Sequence, residues 1–282
     1  MKLNNIVVGS MGSYLDFIDL GWEPVLKGIA EAGFKYVELS ASQEWQSHID
    51  VKKISNEDIK QLKKLLEKYE LTPIAISAHC DLTCREGFEA FLRRMDFAKE
   101  FNIEFLITGT GKWIDDKDLD NFYKNIEDIS EYAKKNDQLV TLETHGDGKS
   151  GESHTDSGKL YLPIIKHINK KNIRVCYDTG NVIYYQAVRP EDDIYHIAKY
   201  IGYMHLKDKN YGRGVWNFPA IGQGTIKFSR IFDTLKNVGY SGPLSVEIEL
   251  TPSTTQKHWE ISDFNKAHVL SYEFLKNYFS SL

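Results

Sequence analysis

A (β/α)8 barrel in a single domain spanning residues 1–282 is the fold this sequence predicts, on three grounds. At 282 residues the chain suits one α/β barrel, which runs near 250 residues as a unit, although two ordinary domains would also fit the length. Short aliphatic and β-branched runs recur along it at intervals of roughly 30 to 40 residues, the spacing of a βα unit, with amphipathic stretches between them. No linker, internal repeat or low-complexity tract interrupts the series. A doubly wound sheet would need fewer strands and a glycine-rich first turn. The turn here, Gly9-Ser-Met-Gly12-Ser13, has its glycines at the wrong spacing for a dinucleotide.

The strands read as Ile6–Val8, Tyr36–Leu39, Ile74–Ser77, Phe105–Ile107, Leu139–Leu142, Ile173–Tyr177, Tyr203–Leu206 and Leu244–Ile248. Near-continuous apolar runs of this kind suit parallel strands buried on both faces. Between them the helices are legible. Ser55-Asn-Glu-Asp58 is a capping-box variant, followed on one face by Ile59, Leu62, Leu65, Leu66 and Tyr69. Phe88, Phe91, Leu92, Met95 and Ala98 form a second stripe, and Leu119, Phe122, Tyr123, Ile126, Ile129 and Ala133 a third. Phe228, Ile231, Phe232 and Leu235 form a fourth, closed by Gly239, and Phe264 to Phe279 supplies a last helix. These stripes are core.

Composition narrows the function. A hydrophobic content of 41% and a charged content of 27% are those of a soluble globular protein. A net charge of -5 argues against nucleic acid as a partner, because phosphate neutralisation calls for a basic face. Cys80, Cys84 and Cys176 have neither the number nor the spacing of a disulfide framework or zinc knuckle. No signal peptide or membrane-length apolar run is read, so a cytoplasmic protein with no membrane partner is expected.

The chemistry collects at the strand ends, where barrels of this kind assemble their active sites. The fifth strand ends in Glu143, Thr144 and His145, after which Gly146 and Gly148 free the backbone. Glu143 and His145 point to the same side of a pleated strand. The second strand carries Glu38, the third ends at His79, the sixth at Asp178, the seventh at His205, and the eighth bears Glu247 and Glu249. Carboxylates crowded into one ring repel unless each has a partner, and a divalent cation removes the repulsion. Two Glu, one Asp and one His make an oxygen-rich set with one imidazole. That set suits Mn²⁺, Co²⁺ or Mg²⁺ and is compatible with Zn²⁺.

Leu-Glu at 142–143, Asp-Thr-Gly-Asn at 178–181, His-Leu-Lys-Asp at 205–208 and Gly-Tyr-Ser-Gly-Pro-Leu-Ser-Val-Glu at 239–247 stand in the order found in a known family. In these motifs the chain resembles the xylose isomerase-like TIM barrels, the sugar phosphate isomerases and epimerases, over nearly its whole length. The resemblance implies a divalent metal, Mn²⁺ foremost, held by Glu143, Asp178, His205 and Glu247. It also implies that Glu143 and Glu247 serve as the acid/base pair on the two faces of a sugar. The implied reaction is isomerisation or epimerisation by proton abstraction next to a sugar carbonyl, through a metal-stabilised enediolate.

Two departures open an alternative. Many epimerases of the family carry a His three residues after the sixth-strand Asp, where this chain has Asn181. His145 is not general among them. It points to a metal-dependent lyase on a keto-sugar, with His145 as base: a dehydratase, or the α subunit of a C-glycoside deglycosidase acting on 3-oxo-glycosides. A small-molecule sugar or keto-sugar is the expected partner, and a homo-oligomer or a hetero-oligomer with a smaller subunit stays open. An abasic-site endonuclease uses a related barrel but needs more histidines for its three metals. A non-catalytic sugar-binding barrel would lack bound metal, which the intact ligand set speaks against.

Further substrate contacts are expected from Glu38, His79, Asn181 and Lys207. Glu38 could instead pair with a cation at the barrel rim, and Lys207 could neutralise a carboxylate. The stretches Thr144–Ser157 and Lys207–Gly224 read as long loops at the strand ends. Arg213, with Tyr211, Trp216 and Phe218, suits a lid over a sugar or an oligomer contact. Trp113 and Tyr14 are expected as apolar pocket walls, and Glu249 as a group that orients a ligand. Gly222-Gln-Gly224 reads as a turn in preference to a phosphate site. His48, His154, His167, His196 and His258 are expected at the surface.

Overall fold

The computed structural model describes residues 6–113, 115–146, 154–210, 212–250 and 259–280. Eight parallel strands close into a barrel in sequence order: β1 (Val7–Ser10), β2 (Tyr36–Ser40), β3 (Thr72–Ser77), β4 (Phe105–Thr108), β5 (Leu139–Glu143), β6 (Ile173–Asp178), β7 (Ile201–Leu206) and β8 (Leu244–Val246). The ring closes where Val7 pairs with Leu244 and Gly9 with Val246. Every expected strand is present, with no end shifted by more than two residues. The largest consequence is at β8, which stops at Val246. Glu247 and Glu249 therefore lie beyond the strand, and Glu249 forms an isolated antiparallel bridge with Phe218.

The outer ring follows the apolar stripes. It comprises α1 (Trp22–Glu31), α2 (Asn56–Lys68), α3 (Arg85–Lys99), α4 (Asp116–Lys135), α5 (Gly158–Ile168), the short α6 (Asn181–Gln186) and α7 (Pro190–Asp193), then α8 (Phe228–Asn237) and α9 (Ile261–Ser280). Ser55 and Asp58 close a reciprocal capping box on α2, which satisfies two backbone donors that have no partner within the helix. Gly239 takes a positive φ of 73° just past α8, a conformation open to glycine at no steric cost. The β1–α1 connection is itself ordered as a 3-10 helix, Met11–Leu20, whose N-cap Ser10 accepts a hydrogen bond from the Gly12 amide.

Two apolar regions frame the site. One lies between strands and helices and includes Phe34, Leu39, Phe91, Ile126, Tyr177 and Phe232. The other packs Ala75, Ile107, Cys176 and Tyr203 together with Ile74 and Phe105. Among the described residues, no helix is long and apolar enough to cross a membrane.

Candidate metal centre

Period-two alternation sends Glu143, Asp178 and His205 inward from the ends of three neighbouring strands. Glu143 pairs with Cys176 across β5 and β6, and Asp178 with His205 across β6 and β7. Glu247 follows β8 directly, its amide donating to the Leu206 carbonyl. One donor atom from each of Glu143, Asp178, His205 and Glu247 lies within 4.8 Å of the others. His205 Nδ1 stands 2.6 Å from Glu143 Oε1, 3.3 Å from Glu247 Oε2 and 3.9 Å from Asp178 Oδ2.

This arrangement fits a divalent cation. Among the described residues, Asp178 Oδ2 and Glu247 Oε2 are buried with no well-formed hydrogen bond, and Lys207 Nζ approaches them only at 3.4 Å and 3.1 Å. Buried carboxylate oxygens without donors are costly unless a cation completes them. Burial pushes the Asp178 carboxyl up to about 7 against the pull of Lys207. Burial also works to raise Glu143, but the His205 and His79 rings outweigh it and hold that carboxyl well below its usual range. The Lys207 ammonium sits among Asp178, Glu247 and Glu249, which overcome burial and hold its pKa well above the usual value. Its bond to Glu249 Oε1 is the shortest of the three, at 2.9 Å.

A cavity of about 400 Å³ opens over this cluster, and Glu143, His145, His205, Lys207, Glu247 and Glu249 are part of its lining. His79 also lines it and reaches Glu143 Oε2 at 3.0 Å. His145 Nε2 faces the Tyr185 hydroxyl at 3.1 Å, and burial lowers its pKa to about 4. Trp45 lies over both histidines, with ring centroids 4.6 Å from His79 and 5.9 Å from His145. Trp216, Leu250 and Phe264 complete the apolar part of the wall.

Several sequence expectations are corrected. Glu38 is fully buried, away from the cavity lining, with Oε2 3.0 Å from His205 Nε2. Asn181 starts α6, and its amide donates to Asp178 Oδ1 at 2.8 Å. Its side chain is not part of the cavity lining. Trp113 lines a separate cavity of about 290 Å³ with Tyr123 and His154. Arg213 is exposed on its loop and outside the central lining. Tyr14 is buried, with its hydroxyl donating to Asn265. His48 is buried rather than at the surface.

The Gly222-Gln-Gly224 turn is filled from within. Both glycine amides donate to Asp208 Oδ2 at 2.8 Å, which leaves no room for a phosphate. Tyr211, His258 and residues 147–153 of the expected Thr144–Ser157 loop lie outside the described residues. Sequence reasoning missed Ser10, Tyr203 and Tyr185. Tyr203 had a signal, because a residue two before His205 on one strand must share its face. Tyr185 had none, since α6 alone carries it to His145.

Comparison with known proteins agrees with this architecture. L-ribulose 3-epimerase of Methylomonas sp. (strain DH-1) is 21% identical over 253 residues, covering 82% of this chain and 80% of that one. The Mycobacterium smegmatis xylose isomerase-like TIM barrel protein, solved in complex with magnesium, superposes with a TM-score of 0.77 at 14% identity, covering 100% of this chain and 99% of that one. D-allulose 3-epimerase from Methylomonas sp., solved with D-allulose, gives a TM-score of 0.74 at 18% identity, with 97% and 96% covered. The family profile described as xylose isomerase-like TIM barrel matches residues 26–267. The chain belongs to the xylose isomerase-like TIM barrel family.

Proposed function

We propose that this protein is a divalent-metal-dependent sugar isomerase or epimerase that moves a proton at the carbon next to a sugar carbonyl. The observation that carries the reading is the pair Glu143 and Glu247. Both carboxylates line the cavity floor, and both approach the single atom His205 Nδ1, at 2.6 Å and 3.3 Å. They belong to a four-donor cluster that fits a cation. When bound there by Glu143, Asp178, His205 and Glu247, the metal supplies a Lewis acid for the carbonyl and for the negative charge that develops beside it. Mn²⁺ is the expected ion, and the magnesium held by a structural neighbour of the same fold accords with an oxygen-rich divalent site.

The chain's own groups divide the proton work. Glu143 is kept ionised by His205 and His79, so it is ready to accept the substrate proton as a general base. Glu247 is held by Lys207 Nζ at 3.1 Å. Return of the proton by the same carboxylate to the neighbouring carbon gives an isomer. Delivery by the other carboxylate to the opposite face gives an epimer. The similarity to an L-ribulose 3-epimerase and a D-allulose 3-epimerase supports the second outcome on a small ketose.

One observation favours a second reading. His145 lines the cavity beside Glu143, and burial keeps its ring neutral near pH 7. A neutral imidazole tied to Tyr185 is a competent base for a lyase on a 3-oxo-glycoside. Proton exchange decides between the two. Mn²⁺-loaded protein in D₂O, offered free ketoses, their phosphates and a 3-oxo-glucoside, is followed by NMR. Deuterium entering a ketose carbon together with a new isomer supports the isomerase reading. Aglycone release from the 3-oxo-glucoside, lost in His145→Ala, replaces it with the lyase. Exchange with none of them sinks both for the chain acting alone.

A further inference from the structure

Glu38 is a buried carboxylate that the proton chemistry does not use. Its surroundings are unusually complete. The Ser10 hydroxyl donates to Oε1 at 3.1 Å, and the Tyr203 hydroxyl donates to Oε2 at 2.9 Å. The His205 ring presents Nε2 to both oxygens, at 3.2 Å and 3.0 Å. The Ser245 side chain lies near the same carboxylate. These partners come from β1, β7 and β8, three strands flanking the seam where the barrel closes. The opposite nitrogen of the same ring, Nδ1, faces Glu143, Glu247 and Asp178.

We propose that Glu38 is a positioning residue for the metal centre: it holds the Nε2–H of His205, fixes the ring's tautomer and plane, and so makes Nδ1 the ligand atom. The inference rests on the metal-centre reading above. An imidazole that ligates through one nitrogen needs its other N–H anchored, and a carboxylate is the strongest neutral-pH anchor available. Burying a carboxylate is costly, and among the described residues no lysine or arginine side chain bonds Glu38. Closing the β1–β2–β7 contact alone would not require an acid, since Ser10 and Tyr203 could hydrogen-bond a neutral amide equally well. What an acid adds is a more electron-rich imidazole at the ligand position.

Two measurements test this, neither of which depends on turnover. In Zn²⁺-loaded protein labelled with ¹⁵N-histidine, NMR is expected to show one metal-bound ring with Nδ1 ligating and Nε2 protonated; ligation through Nε2 would overturn the assignment. Glu38→Gln keeps the shape and hydrogen-bonding capacity and removes the charge. Its dissociation constant for Mn²⁺, titrated by EPR, is expected to rise about 10- to 100-fold, while circular dichroism stays that of the parent. An unchanged constant makes Glu38 a structural residue only. If Glu38→Gln does not fold, Tyr203→Phe decides, because it removes one of the donors that orient Glu38. A rise of about two- to tenfold supports the proposal, and no change rejects it. Failure of the underlying reading looks different, since the parent protein itself would then bind no Mn²⁺.

Discussion

His205 and His268 are buried alike, 1% and 0% exposed, and their environments drive them in opposite directions. His205 lies among Cys176, Glu38, Glu247 and Glu143, which overcome burial and hold its pKa well above the usual value. His268, on α9, stacks on Tyr14 at 4.9 Å and meets the edge of Phe34 at 5.9 Å. Its Nδ1 contacts the Phe264 carbonyl at 2.9 Å, and its Nε2 has no hydrogen-bond partner among the described residues. Burial outweighs that carbonyl contact and lowers its pKa to about 4. Burial therefore says nothing about function by itself. Converging charged partners, each held by its own strand, separate a site from a core histidine.

Substitutions on the two sides of this comparison should fail in different ways. The largest effect is expected from Glu143→Gln, which removes a donor to the metal and the proposed base together. Deuterium entry into substrate should slow by about 10²- to 10⁴-fold, the range for losing general acid/base catalysis, with the folded circular-dichroism spectrum retained. A rate within tenfold of the parent would remove Glu143 from the chemistry. On the other side, Phe34 is 1% exposed and packs against His268 and Tyr272. Phe34→Ala should lower the unfolding free energy by about 3–5 kcal/mol through the cavity it leaves. Urea denaturation measures the loss, and Mn²⁺ affinity should not change. A variant that lost metal binding but not stability would show the two regions to be coupled.

The barrel was legible because its signal is repeated. Each βα unit restates the same two periods, and a slip of a residue or two at one strand end leaves the other units intact. Glu143, Asp178 and His205 were equally readable, since alternation along a strand fixes which side chains face inward. Loop-borne and depth-dependent roles were not. Glu38 and His205 occupy strand positions that look equivalent in sequence. Only the register of β2 against its neighbours sets Glu38 behind the histidine and away from the cavity. Trp113 and Arg213 lie outside the central cavity lining for a related reason: each is several residues past a strand, where backbone direction is no longer fixed by pairing. Asp208 filling the Gly222–Gly224 turn was invisible because its four backbone donors come from residues on both sides of the loop.

The smallest predicted effect concerns pH and belongs to His268. Its folded pKa is about 4, while an unfolded histidine titrates near 6.5. Between those values the unfolded chain binds the proton and the native protein does not, so stability rises with pH across that window. The contribution is fully present above about pH 6.5, falls as the pH drops toward 4, and changes no further below that. A shift of this size corresponds to at most about 3 kcal/mol. Among the described residues no acidic side chain faces the ring to relieve the charge, and the titratable neighbour in ring contact is Tyr14, whose own pKa burial drives further up. His268→Leu keeps an apolar side chain in the Tyr14 and Phe34 pocket and cannot titrate. The metal-free variant should lose less stability than the parent between pH 6.5 and 4, as read by urea denaturation at each pH. Parallel curves for the two proteins would mean that His268 accepts its proton without unfolding, and that burial in an aromatic pocket costs this imidazole far less than its geometry implies.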